Sequence, residues 1–117
     1  MNTKITLSYE GVNYTLEYDR MSIKRIESEG FEMEKFASQP MTMVEIVFRG
    51  AFYKNYRNMK QAQIDEIYKH SKNKEGLVQK LSDMINECYE SLLVDPNDDE
   101  GNATWEVVSL SPIETQE

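Results

Sequence analysis

Between Met41 and Phe52, eight of twelve residues are apolar, and any fold open to this chain must find cover for them. On a helical wheel at about 100° per residue, Val44, Val47, Phe48, Ala51 and Phe52 make one stripe. Met43 and Ile46 fall outside it and widen the apolar arc to roughly 240°, where an amphipathic surface helix shows roughly 100° or somewhat more. The polar strip left over holds only Thr42, Glu45 and Arg49. Glu45 and Arg49 stand four apart in the order that favours an ion pair, worth about 0.3 kcal/mol when exposed. Such a helix is either central, with neighbours on most sides, or it presents apolar surface to another chain. Gly50 bears on the choice, because a glycine inside a helix costs roughly 1 kcal/mol relative to alanine. A close helix–helix approach would account for it, and so would a kink.

The supply of neighbours is limited. A chain of 117 residues is most simply one domain with a single core. KITLSY and NYTLEY alternate apolar with polar and read as strands, joined through Glu10-Gly11-Val12-Asn13 with Gly11 free to take positive φ. Asp19 stands where an N-cap belongs, ahead of RMSIKRIESE, and Gly30 is placed as the residue that ends that helix. FEMEKFAS fits neither period and is expected to be an irregular, partly buried connection. Pro40 suits the first turn of the second helix, with Ser38 as its cap. In the last helix Leu77, Val78, Leu81, Ile85, Cys88 and Leu92 follow the helical period, leaving Lys80, Asp83, Glu87 and Glu90 to water. The expectation is a mostly α, α+β fold over 1–94. It has a β-hairpin over 4–18 and helices near 20–29, 40–58, 61–70 and 75–94.

Charge divides the chain at the end of that domain. Residues 1–94 hold fourteen acids and thirteen bases, a net of −1, and residues 95–117 hold seven acids and no base, which together give −8. Asp95-Pro96 should stop the last helix. The segment beyond it carries two of the three prolines and reads as an acidic, mobile tail. Trp105, in the β-prone run TWEVV, is the one anchor in this tail. It can dock on its own domain, on another subunit, or on a partner.

The residue inventory argues against chemistry. His70 is the sole histidine and Cys88 the sole cysteine, so no internal disulfide and no transition-metal or zinc site is expected. No serine is flanked like a nucleophile elbow, and Cys88 lies on an apolar helix face as a core thiol. There is no Gly-rich phosphate loop, and DPNDDEG lacks the spacing of a calcium loop. YKNYRNMK interleaves Tyr53 and Tyr56 with Lys54, Arg57 and Lys60, but a slightly acidic body and a strongly acidic tail would repel phosphate. No signal peptide and no membrane span is expected. The chain therefore reads as a non-enzyme of a reducing cytoplasm, without cofactor, nucleic-acid or membrane partner.

The run ITLSYEGVNYTLEYDRMSIKRIESEGF followed by QPMTMVEIVFRGAFYKNY resembles the tail assembly chaperones of long-tailed, siphovirus-type bacteriophages of Gram-positive bacteria. The likeness lies in Tyr9, Gly11, Tyr14, Leu16, Tyr18, Asp19 and Arg20 of the hairpin and in the Glu-Gly-Phe turn at 29–31. It continues in the Pro-Met-Thr start and the Phe-Arg-Gly-Ala-Phe segment of the second helix, and covers about residues 5 to 57. The resemblance implies a non-catalytic protein of the host cytoplasm that solubilises the long, apolar, helical tape measure protein. It would recruit tail tube subunits, self-associate, and be absent from the mature virion. Many such chaperones are made in two lengths by a frameshift. On that basis the partner-contacting residues are expected to be Met43, Ile46, Phe52 and Tyr53, outside or at the rim of the inner stripe, with Trp105 in the tail. Two other classes fit the composition: an acidic nucleic-acid mimic that inhibits through its tail, and a structural virion or connector component.

Overall fold

The computed structural model describes residues 3–94 and 101–108. The elements are β1 (Ile5–Tyr9), β2 (Val12–Leu16), α1 (Arg20–Ser28), a 3-10 turn (Met33–Phe36), α2 (Pro40–Gly50), α3 (Gln61–Lys69) and α4 (Lys74–Ser91). A hairpin followed by four helices is the α+β architecture that the periodicities predict. The acidic run 95–100 and the residues from 109 onward lie outside the described residues.

The two strands pair antiparallel from Ile5–Leu16 to Tyr9–Val12. Glu10 and Gly11 alone make the turn, both at positive φ (50° and 80°), the pattern whose twist matches the flanking strands. Val12 and Asn13, expected in the turn, open β2 instead. Ile5, Leu7 and Tyr9 face the helices, and Lys4, Thr6 and Ser8 face solvent. Counted from the turn-closing pair, the exchanging pairs are Tyr9–Val12, Leu7–Tyr14 and Ile5–Leu16, so residues 13 and 15 of β2 and 6 and 8 of β1 turn their backbone groups outward. On β2 the edge is closed at Thr15, whose amide donates to Tyr56 Oη (2.7 Å) and whose carbonyl accepts from Asn55 Nδ2 (3.2 Å), while the outward backbone groups of Asn13 have no partner among the described residues. On β1 the outward backbone groups of Thr6 and Ser8 have no partner among the described residues.

Helix α1 begins and ends on local signals. Asp19 Oδ1 accepts from the Ser22 amide at 2.8 Å, and Ser22 Oγ accepts from the Asp19 amide at 2.8 Å. At the other end Gly30 sits at φ 105°. There the Gly30 amide donates to the Glu27 carbonyl and the Phe31 amide to the Ile26 carbonyl, which satisfies two of the helix's free carbonyls. FEMEKFAS contains the single 3-10 turn, with Met33 and Phe36 half-buried.

Helix α2 is central and touches α1, the 3-10 turn, α3 and α4. Pro40 opens it as expected, but the N-cap is Gln39, without a side-chain bond, rather than Ser38. It ends at Gly50, well short of 58. A Cβ at Gly50 would collide with Ile26 Cγ2, so this glycine marks the close approach of α1 and not a kink. Beyond it the chain tightens into turns, with the Tyr53 amide on the Gly50 carbonyl, and the Ala51 carbonyl also accepts from the Glu17 amide of the hairpin. Tertiary pairing with the hairpin thus ends the helix where its apolar pattern continues.

In α4, Leu81 and Ile85 are buried as spaced, and Met84 joins them. Leu92 is 54% exposed, a correction that follows from the helix ending at Ser91. Glu87, expected to face water, is half-buried and accepts from the Thr3 amide (3.2 Å) and Thr3 Oγ1 (2.7 Å).

Candidate interaction surface

Four of the five residues expected to meet a partner are ones the fold encloses. Met43 is 1% exposed, Ile46 8%, Phe52 0% and Tyr53 8%, all inside a single chain. The hairpin and α1 supply part of this cover. Tyr18 reaches in from the end of the hairpin and donates its hydroxyl to the Val47 carbonyl at 2.6 Å. Helix α1 lays Ile26 against Gly50 and sets the Arg25 guanidinium 3.8 Å over the Tyr53 ring. Glu29 then accepts from Tyr53 Oη at 2.9 and 3.1 Å. Burial pushes the Tyr53 phenol up and the Glu29 carboxylate adds to the effect, while burial, with a smaller push from Cys88, raises Tyr18 well above its usual value. Both hydroxyls stay neutral donors. Burial of these four side chains in one chain overturns their assignment as an outer surface.

The surface that α2 leaves open lies along Met41 and Val44. Met41, Val44 and Phe48 stand at i, i+3 and i+7, one line along the helix. Phe48 is buried under the Tyr68 ring, centroids 4.9 Å apart. Val44 is half-buried, and Met41 is 87% exposed. The gradient has a physical cause. Helix α3 crosses only the C-terminal half of α2, where Arg49 clamps Asp65 with bonds of 3.0 and 2.6 Å, and that hydrogen bond holds the guanidinium proton more tightly still. The N-terminal half of α2 has no such cover. The result is a groove of about 420 Å³ with Met41, Val44, Phe48 and Tyr68 as its apolar surface and Glu45 and Lys69 at its edge. An adjoining groove of about 600 Å³ shares Val44 and Tyr68 and continues past Met33, Phe36 and Val78. Together they form an apolar channel with a charged rim, suited to the apolar stripe of a helix.

Trp105 stands apart from this channel, 85% exposed in a described segment without regular structure. Tyr56, Lys54 and Asn55 serve the hairpin: Lys54 Nζ and Asn55 Nδ2 donate to the buried Glu17 carboxylate at 3.0 and 2.9 Å, and the Asn55 bond leads in holding that carboxyl below its usual range. His70 caps the end of α3, with Nε2 2.9 Å from Glu66, and stacks on Tyr9. Cys88 is half-buried against the Tyr18 carbonyl, and burial raises its thiol. Among the described residues no three acidic, histidine or cysteine side chains gather as a metal site, and no helix is long and apolar enough to cross a membrane.

The helical wheel missed Val44 because it places a residue around the axis and not along it. The available signal was the line Met41–Val44–Phe48, which passes from the uncovered first turn into the core. Comparison with known proteins adds a family. Residues 1–109 match the family described as Domain of unknown function (DUF5055), and the chain belongs to it. Neither a curated protein nor a solved structure matches the chain.

Proposed function

We propose that this protein is a tail assembly chaperone of a long-tailed phage. It is a non-catalytic protein that binds the apolar helices of a tape measure protein in the host cytoplasm, recruits tail tube subunits, and is left out of the finished particle. The observation that carries this reading is the open apolar channel through Val44 and Tyr68. A helix presenting apolar residues at i, i+3, i+4 and i+7 lays them into such a groove, and a tape measure protein offers many such stretches in succession. The sequence resemblance over about residues 5 to 57 gives the partner its identity. The net charge of −8 supports the same role, because like-charged coats repel one another and stay in solution.

The test is co-expression of the full chain with a segment of the tape measure protein from the same phage. The expected result is a tape measure segment that stays in the supernatant and co-purifies with the wild type. It should be lost from Val44→Glu, and the thermal unfolding of that variant should match wild type. If the segment precipitates beside the wild-type protein, or remains bound to Val44→Glu, the reading is overturned.

A further inference from the structure

The hairpin has one edge closed at Thr15 and one edge open at both of its outward residues, and the chain carries a segment of the kind that closes such edges. We propose that residues 104–108 of one copy add as a third strand to the free edge of β1 in a second copy. A groove of about 320 Å³ runs along all five residues of β1 and is bounded on its far side by the end of α3 and the start of α4. Ile5, Leu7, Ile67 and Leu77 give it an apolar wall, while the amides and carbonyls of Thr6 and Ser8 point outward along it, unpartnered among the described residues. An edge of this sort beside a helix is the arrangement in which an extended peptide joins a sheet, main-chain bonds supplying affinity and alternate side chains supplying register.

The donor meets each requirement. TWEVV is rich in strand-forming residues, and Trp105, Val107 and Val108 are 85%, 82% and 73% exposed. Strand geometry sends Trp105 and Val107 to one face and Thr104 and Glu106 to the other. In a parallel addition the first pair would lie on the face of Ile5 and Leu7 with its amides and carbonyls turned to β1, and Glu106 would lie on the face of Lys4. Charge agrees, since Lys72 lines the groove and the segment beyond residue 94 has no base. In the single chain the donor is exposed and the edge is unpaired at the same time, which is why the occupant assigned is a second copy. Each copy offers one donor and one acceptor, so exchange closes as a reciprocal dimer or runs on head to tail. The inference does not depend on the tape measure reading.

The test uses two full-length variants. Val107→Pro removes a donor amide from the segment, and Thr6→Pro removes an amide that faces away from β2, leaving the hairpin's own bonds in place. Sedimentation of the wild type across a concentration series should show association, with Trp105 emission shifting to the blue and the Thr6 and Ser8 amides exchanging more slowly. Each variant alone, with a wild-type far-ultraviolet spectrum, should stay monomeric. A mixture of the two should form a one-to-one complex, because Thr6→Pro still supplies a donor and Val107→Pro still supplies an edge. A wild type that stays monomeric at every concentration would overturn the proposal, whether its Thr6 and Ser8 amides are exposed or are protected by its own segment. So would association that survives in Val107→Pro, or variants that fail to complement.

Discussion

Met43 and Val44 are neighbours in the chain and both apolar, yet Met43 is sealed inside the molecule and Val44 stays at its surface. The inner face of α2 meets Tyr18, Ile26 and Arg25, each delivered by the hairpin or α1, and nothing polar there is left without a partner among the described residues. The outer face meets α3 only from Phe48 and Arg49 onward. Residue type therefore does not decide which face of α2 is closed. What decides is where along the helix the next element begins to cover it.

The contrast is open to attack from its strongest side first. Phe52→Ala empties a fully buried site on the closed face and is expected to lower unfolding free energy by about 3–5 kcal/mol in a denaturant titration. A loss below about 1 kcal/mol would mean that this face is not the packed one. Ile46→Glu belongs with it, as a second probe of folding at a buried position.

Next in size is the Glu17 network that fastens the 53–56 turn to the hairpin. Glu17→Gln should cost about 1–3 kcal/mol, since Lys54 and Asn55 lose an ionic acceptor. The pH dependence carries a sign that can be checked. The folded-state carboxyl lies below its unfolded value of 4.5, so its contribution is whole above that pH and fades as pH falls through the folded value. Acid titration of Glu17→Gln should therefore show a shallower loss of stability below pH 4.5 than wild type. An unchanged slope would remove Glu17 from the account.

Gly50→Ala is smaller. Crowding against Ile26 Cγ2 should cost about 1–3 kcal/mol, offset by roughly 1 kcal/mol of improved helix propensity. A stabilised variant would show that α1 yields easily and that the approach is not tight. Least of all should be the effect of Val44→Glu on stability, within about 0.5 kcal/mol as at other surface sites, even as it abolishes retention of the tape measure segment. A Val44→Glu protein that melts far below wild type would erase the distinction between the two faces.

What the sequence revealed follows the range of each signal. The hairpin and α1 were legible because alternation, Asp19 and Gly30 act within a few residues. The end of α2 was not, because its apolar pattern runs on to Phe52 while the Ala51 carbonyl answers to Glu17, far away in the chain. Leu92 failed for a related reason: the helical spacing runs on to the residue just past the end of the helix. The open channel was half legible, in that α2 does carry more apolar surface than α1, α3 and α4 cover, but the residues left over are Met41 and Val44. The unequal edges of the hairpin were hidden altogether, since Asn55 and Tyr56 close β2 across a separation of about forty residues.

The bond between Thr3 and Glu87 spans 84 positions and ties the residue two places ahead of β1 to α4, a helix synthesised much later. At roughly 5–20 residues per second on the ribosome, about 4–17 s separate the emergence of the two partners. For that interval β1 offers water both its apolar side and its unpaired edge, so the nascent chain passes through a vulnerable window. Pauses in translation between α2 and α4 would lengthen that window, and the yield of folded protein should follow the pace of decoding there more closely than elsewhere in the gene.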